Sequence, residues 1–334
     1  MKRDVEKRRG KNALKSAVLA ACAVFLCAVL SVGCGKQETV NVRVGSLKGP
    51  TSMGILFLME KARQGETAHG YEFQMVTGAD ELLPLMVKGE LDIALVPANV
   101  AAALYHKTEG GVAVIDINTL GVLYLVTGTT EITDVADLRG KTIYLTGKGT
   151  TPEASLRYLL QKNGFAEGDY TLEFKSEAAE VAAVLAQDSG AVGLLPQPFV
   201  TAALAQNEEL KVVLDINEEW KKVQDGSGMV TGVTIVRKEF LEEHEDVVKA
   251  FLEEHRESTE GINQDVSTGA SLAVKAGIVA KEPIAQKAIP LCNITCVTGE
   301  EMRQALRQYL ALLADFKAEL TGGSVPGEDF YYIP

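Results

Sequence analysis

The chain is poor in the residues on which most enzyme and metal chemistry depends. Its 334 residues include five cysteines, four histidines and one tryptophan. His69, His106, His244 and His255 fall in no metal-ligand spacing, and His244-Glu245 lacks the second histidine that a helical zinc site requires. No Gly-x-Ser-x-Gly turn is present to expose a nucleophilic serine. Lys148-Gly149-Thr150-Thr151 lacks the first glycine and the Gly-Lys-Ser/Thr ending of a phosphate loop, which argues against nucleotide hydrolysis. Three cysteines (Cys22, Cys27, Cys34) lie near the start, leaving Cys292 and Cys296, too few for a disulfide scaffold or a cysteine-based zinc site. An exported pair can form a disulfide. If Leu291-Cys292-Asn293-Ile294-Thr295-Cys296 is a strand, however, residues four apart lie roughly 13 Å apart, beyond bridging distance. Two free thiols are expected. Basic residues are also scarce, 33 against 45 acidic for a formal charge of −12, and a chain without clustered Lys and Arg does not suit nucleic acid.

The exception to this acidity is the beginning. Lys2, Arg3, Lys7, Arg8, Arg9, Lys11 and Lys15 form a basic segment, and residues 16–33 carry no charge. That is the order of an export signal. An uncharged run of this length can also just span a bilayer, which keeps an uncleaved anchor open, as well as plain secretion. Leu30-Ser31-Val32-Gly33-Cys34 resembles a bacterial lipoprotein cleavage site, with Cys34 as the lipidated residue, although the leucine stands four rather than three before the cysteine. All three readings put the remainder outside the cytoplasmic membrane. Without residues 1–33 the formal charge is −17.

What the chain has in abundance is a repeat. A strand leads into Lys48-Gly49-Pro50-Thr51 and an apolar helix ending near Gly65; 100 residues later a strand leads into Lys148-Gly149-Thr150-Thr151 and a helix ending near Gly164. A strand opened by a tyrosine follows, Tyr71 or Tyr170, 23 and 22 residues after the respective lysine. A short helix and a strand ending in proline come next, Pro97 and Pro196, 49 and 48 residues after the lysines. Two homologous lobes imply a cleft between them, where small ligands usually bind.

Short β-branched runs alternating with helical segments predict βαβ units and largely parallel sheets. Thr150-Thr151-Pro152-Glu153 reads as a hydroxyl N-cap, a proline at the helix start and an acid in the first turn. The expected organisation is a signal peptide over 1–33, a tether over 34–39, a discontinuous lobe I over 40–127 plus 233–334, and lobe II over 128–232. Residues 120–126 read as the strand leaving lobe I and residues 229–236 as the strand returning, so hinges are expected at 127–130 and 229–232, with Gly128 and Gly232. Beyond Val236 helices are expected over 239–263, 270–279 and 299–316. The run Glu242-Glu243-His244-Glu245-Asp246 reads as a solvated helix start.

In open α/β sheets, ligands sit beyond the C-terminal ends of the strands. That rule selects residues 46–53, 77–80 and 97–100 on one side, and 146–151 and 196–199 on the other. These loops are rich in hydroxyls, amides and glycines, with free backbone N–H groups at helix starts, which suits an oxyanion or a polar heterocycle better than a metal. Lys48 and Lys148 either bring charge to an anion or are solvated loop lysines. Phe199 either packs over a flat ligand or belongs to the core.

The chain resembles the type II periplasmic-binding superfamily, in particular the group of nitrate-, sulfonate- and taurine-binding proteins and binders of thiamine pyrimidine precursors. The resemblance covers residues 40–334. It is carried by Gly49-Pro50-Thr51-Ser52-Met53-Gly54, Asp92-Ile93-Ala94-Leu95-Val96-Pro97-Ala98-Asn99, Asp137-Leu138-Arg139-Gly140-Lys141-Thr142, Gly147-Lys148-Gly149-Thr150-Thr151-Pro152-Glu153 and Leu195-Pro196-Gln197-Pro198-Phe199. It implies a two-lobed α/β fold, each lobe a mostly parallel sheet flanked by helices, joined by two crossing strands. It implies a monomeric lipoprotein without cofactor, metal or catalytic residue, which captures a small polar or anionic solute for the permease and ATPase subunits of an ABC importer. Ligand contacts are implied from Thr51, Ser52, Met53, Asn99, Gly149, Thr150, Thr151, Gln197 and Pro198, and the strand-end rule adds Thr77. Many relatives have Pro-Glu-Pro where this chain has Pro196-Gln197-Pro198, which removes a carboxylate that a cationic ligand would use. The alternatives are a dehydratase- or lyase-type enzyme on the same fold, or a surface receptor that senses without transport.

Overall fold

The structure, a computed structural model, describes residues 39–224 and 228–334. The leader, the tether up to residue 38 and the cleavage site at Cys34 lie outside the described residues. No helix among the described residues is long and apolar enough to cross a membrane.

The chain opens with β1 (Asn41–Leu47), α1 (Leu56–Gln64), β2 (Gly70–Val76), α2 (Ala79–Val87), β3 (Ile93–Pro97), α3 (Ala98–Lys107) and β4 (Val112–Leu120). It continues with β5 (Leu123–Thr127), β6 (Thr142–Leu145), α4 (Thr151–Lys162), β7 (Thr171–Phe174), α5 (Ala178–Gln187), β8 (Val192–Pro196), α6 (Phe199–Gln206), β9 (Lys211–Asp215) and α7 (Ile216–Val223). It ends with β10 (Val230–Arg237), α8 (Lys238–Glu243), α9 (Glu245–Gln264), α10 (Val266–Lys275), α11 (Glu282–Ala288), β11 (Ile294–Val297) and α12 (Gly299–Phe316).

Two sheets result. One has the order β11-β4-β10-β3-β1-β2 and the other β7-β6-β8-β5-β9. In each, the three strands of the repeat run parallel, β2-β1-β3 and β7-β6-β8, and an antiparallel strand lies beside the third. That strand is β10 in the first sheet and β5 in the second, and each enters its sheet directly from the other lobe. The edge strands carry the alternation expected of a half-covered position: Tyr71, Phe73 and Met75 alternate with Glu72 and Gln74 along β2. Central β3 and β4 are buried almost throughout, β3 as an apolar run and β4 with Asp116, Asn118 and Thr119 among its buried residues.

Sheet membership corrects the expected boundary. β5 pairs with β8 and β9, so residues 123–127 belong to the second lobe and the first crossing lies at Gly121-Val122. β10 lies wholly in the first sheet, so the return precedes Val230 rather than following Thr231-Gly232. Both crossings meet at Asn217. Its Oδ1 accepts the Met229 N–H at 3.0 Å, and a side chain at Gly121 would come within 2.4 Å of the same atom. Gly128 and Gly232 are close-packing glycines: a Cβ at Gly128 would stand 2.8 Å from the Ser189 carbonyl, and one at Gly232 within 2.6 Å of Asn118 and Thr51.

The expected helix over 239–263 is broken at His244, whose backbone leaves the helical region (φ −139°, ψ 47°). Glu245 and Asp246 then fill the first turn of α9, as the acidic run predicted. Cys292 and Cys296 are both free thiols, but not because they share a strand. Cys292 closes a 3-10 turn and donates to the Ala288 carbonyl, while only Cys296 lies on β11.

A third contact joins the lobes behind the crossings. α12 lays Tyr309 against Trp220 of α7, with ring centroids 5.4 Å apart, and Trp220 in turn stacks on Tyr158 of α4 at 4.6 Å. The buried Tyr309 hydroxyl lies 2.9 Å from Ser155 Oγ on α4. In lobe I, Asp92 clamps three strands. It accepts from the Arg43 N–H and guanidinium at 2.9, 2.9 and 2.5 Å and from Arg237 at 3.1 Å. Burial raises the carboxyl pKa, but the Arg43 and Arg237 hydrogen bonds outweigh it and hold it below the usual range.

Candidate functional site: the cleft between the lobes

The C-terminal ends of all six repeat strands border one cavity of about 1040 Å³. Lobe I contributes Lys48, Gly49, Pro50 and Thr51 after β1, Thr77, Gly78 and Asp80 after β2, and Asn99 and Val100 after β3. Lobe II contributes Thr146, Lys148, Gly149, Thr150 and Thr151 after β6, Lys175, Ser176 and Glu177 after β7, and Pro198 and Phe199 after β8. Parallel strands leave their loops at one end, and the two sheets present those ends to the same space.

The expected residues divide into three groups. Thr51, Thr77, Asn99, Gly149, Thr150, Thr151 and Pro198 line the cavity. Ser52 and Met53 do not: Ser52 is fully buried and donates to the Leu47 carbonyl at 2.6 Å, and Met53 belongs to the core beside Ile262 and Ile289. The cause is local. After Gly49 the chain makes a 3-10 turn over Pro50–Ser52, and α1 begins only at Leu56, so the residues after Thr51 turn inward instead of opening a helix at the cleft. Gln197 does not line the cavity either; its Oε1 accepts the Thr201 N–H and hydroxyl at 3.3 and 2.9 Å. The Gln197–Pro198 bond is cis.

The second loop differs from the expected cap as well. Thr150 stands at the N-cap of α4, but its hydroxyl donates to the Gly147 carbonyl at 2.8 Å. The Gly149 N–H is taken by Glu153 Oε2 at 2.7 Å. Asn99, an implied ligand contact, also joins the two lobes directly: its amide donates to the Gly149 carbonyl at 3.0 Å, and its Oδ1 accepts from Thr151 Oγ1 at 3.2 Å. The same amide donates to the Leu320 carbonyl at 3.1 Å. One buried asparagine thus holds the floor of the cleft together.

Several lining residues escaped the sequence reading. Lys175, Ser176 and Glu177 follow β7 as residues 77–79 follow β2, so extending the repeat by one more loop would have found them. Thr231, on the returning strand, borders the cavity with a buried hydroxyl that has no hydrogen-bond partner among the described residues. The far wall is apolar, from Val274, Ile278, Val279 and Ile284 between α10 and α11; lobe II has no counterpart, so no repeat could reveal it. Leu83, Leu123 and Phe199 also line the cavity, and Phe199 is therefore at the cleft.

Three lysines border the space, Lys48, Lys148 and Lys175, with three acids, Asp80, Glu177 and Glu319. Among the described residues none of the six forms an ion pair. Lys148 instead lies over the Phe174 ring at 5.8 Å and Lys175 over Tyr144 at 5.3 Å. An unpaired ammonium held above a ring face is available to an anion entering from the cleft. Lysines on both lips, hydroxyls and an amide on the floor, and an apolar wall suit an amphiphilic organic anion.

This geometry is that of a two-lobed periplasmic-binding fold with a cavity between the lobes, and solved structures confirm the fold. An ABC transporter protein from Parabacteroides distasonis superposes with a TM-score of 0.73 at 23% identity, covering 88% of this chain and 99% of that one. The periplasmic aliphatic sulphonate binding protein SsuA of Escherichia coli gives 0.71 at 15% identity, covering 88% and 92%. The alkanesulfonate-binding protein SsuA of Xanthomonas axonopodis pv. citri, bound to MOPS, gives 0.67 at 15% identity, covering 87% and 96%. No curated protein matches the sequence. The chain belongs to the menaquinone biosynthesis family, whose profile matches residues 53–315. That description differs from the solute-binding group expected from the sequence, although the architecture is the same.

Proposed function

We propose that the protein is an extracytoplasmic solute-binding subunit that closes its two lobes on a small organic anion, a carboxylate or sulfonate with an apolar body, and passes it to the permease of an ABC importer. The observation that carries this reading is the cleft: six strand-end loops and three lysines surround one space whose far wall is apolar. Its volume is at the upper end of the usual range for small-molecule pockets. The basic and apolar leader and the Cys34 motif support a lipid-anchored location at the outer face of the cytoplasmic membrane, with the permease and its ATPase as partners and the binding subunit itself a monomer. The sulfonate ligands in the names of two structural neighbours agree with an anion.

The family match favours a second reading, an enzyme of the dehydratase or lyase type on this fold. The two separate in one experiment. A thermal-shift panel of alkyl and aryl sulfonates, alicyclic and aromatic carboxylates, amino acids and pyrimidines identifies the ligand. At 100 times its dissociation constant a ligand stabilises the protein by about 2.7 kcal/mol. The hit is then incubated with the protein and recovered. Unchanged compound supports capture and delivery, and a converted product establishes the enzyme. If only cations or uncharged amines stabilise the protein, the anion reading fails.

A further inference from the structure

Away from the cleft, lobe I gathers three metal-ligating side chains that the binding reading does not use. Asp116 of β4, His255 of α9 and Cys296 of β11 place their ligand atoms within 4.8 Å of one another. Asp116 and His255 are fully buried and Cys296 is half-buried. Asp116 Oδ2 lies 3.1 Å from His255 Nδ1, and Asp116 Oδ1 accepts from Thr234 Oγ1 at 2.8 Å. Yet His255 Nε2 has no hydrogen-bond partner among the described residues, and neither has Thr259 Oγ1 one turn along the same helix. Both border Gly54, where a Cβ would stand 3.2 Å from the imidazole nitrogen and 3.0 Å from the hydroxyl. Glycine therefore leaves room beside two unsatisfied polar atoms in the core.

The backbone is irregular at this spot in two strand pairs. The register of β4 against β10 slips between the Asp116–Thr234 and Val114–Ile235 pairs. That of β11 against β4 slips between Ile294 and Val297, the interval that holds Cys296. A bulge re-aims the side chain it carries. Here two of them accompany a carboxylate and a sulfur that converge on one imidazole.

We propose that Asp116, His255 and Cys296 form a binding site for a borderline-soft divalent cation of the zinc type. A carboxylate, an imidazole and a thiolate suit a tetrahedral site with its fourth position left for water. Ligand atoms around zinc stand roughly 3.3–3.8 Å apart, so on binding the Asp116–His255 pair opens slightly and any separation near the 4.8 Å bound shortens by about 1 Å. Binding forms a metal–sulfur bond and releases the Cys296 thiol proton to solvent. The divalent charge is then balanced by one carboxylate and one thiolate, a neutral cluster suited to a buried position. None of the three residues lines the cleft, so this site ties α9 and the edge strand β11 to the sheet and does not touch the solute.

The test uses the full chain, stripped with chelator and titrated with cobalt(II) and then zinc. One equivalent of cobalt is expected to bind with a thiolate-to-metal charge-transfer band, zinc to abolish that band, and zinc to raise the melting temperature. Cys296→Ala and Asp116→Asn should lose both the band and the stabilisation, while Cys292→Ala and Cys34→Ser keep them. Cys296→Ser, close in size and checked by circular dichroism, guards against loss of fold. A wild-type protein without the band, or a Cys296→Ser variant that keeps it, overturns the proposal.

Discussion

After β1 the chain folds its polar side chains inward: Thr51 and Ser52 both donate to the Leu47 carbonyl, and Ser52 is sealed from solvent. After β6, at the matching place in the second sheet, Gly149 is exposed where Gly49 is buried, and α4 starts at once. The strand starts differ in the same direction. Asp92 before β3 is clamped by two arginines, whereas Ala191 holds the matching place before β8. Two sheets of one topology have thus taken different loads: the lobe I loop turns Thr51 and Ser52 back onto the end of its own strand, whereas the lobe II loop turns Thr150 onto Gly147 and sends Thr151 across to Asn99 of the other lobe. Topology places a loop at the site, but local turn geometry decides whether its side chains reach it.

The largest expected effect tests the clamp. Asp92→Asn should lower unfolding free energy by about 2–4 kcal/mol at neutral pH, less than a fully buried pair because Arg43 is partly exposed. The Asp92 carboxyl lies below its unfolded value, so its stabilisation is present above about pH 4 and disappears as the pH falls through the depressed value. Urea melts of wild type and Asp92→Asn should therefore converge at low pH. An equal gap at pH 7 and at pH 3 would show that charge is not the cause.

The next effect tests the cleft. Lys148→Ala should weaken binding of the anion found by thermal shift by roughly ten- to a hundredfold, the loss expected for a charged hydrogen bond. Ser52→Ala should leave that affinity unchanged by calorimetry and cost only about 1 kcal/mol of stability. The reverse pattern would mean that lobe I, and not lobe II, presents the ligand groups.

The smallest effect concerns the seam. Asn99→Ala removes the Gly149, Thr151 and Leu320 hydrogen bonds, and should cost about 1–2 kcal/mol and enlarge the ligand-free protein in small-angle scattering. An unchanged profile would assign closure to the Tyr309–Trp220 contact alone.

Much of this arrangement was legible in the sequence. The repeat predicted the parallel trios, and the prolines at 97 and 196 marked the ends of β3 and β8. What failed did so for physical reasons. β4 and β5 are separated by only Gly121 and Val122, so a crossing between sheets read as one apolar run. Ser52 and Gln197 are polar and correctly placed along the chain, but each has a partner within its own turn, and a free hydroxyl cannot be told from a bonded one without coordinates. Asp116, His255 and Cys296 come from three distant elements, so no spacing rule joins them.

The position of β10 has one more consequence, for the order in which the protein is completed as it emerges during synthesis. A nascent chain that has reached residue 229 already contains every strand of the second sheet. It contains only four of the six strands of the first, and the missing β10 is the one that sits between β4 and β3. Until it arrives, β4 has no neighbour in that sheet, although most of the lobe was made earlier. The lobe that begins first is therefore assembled last, around a partner that is already whole.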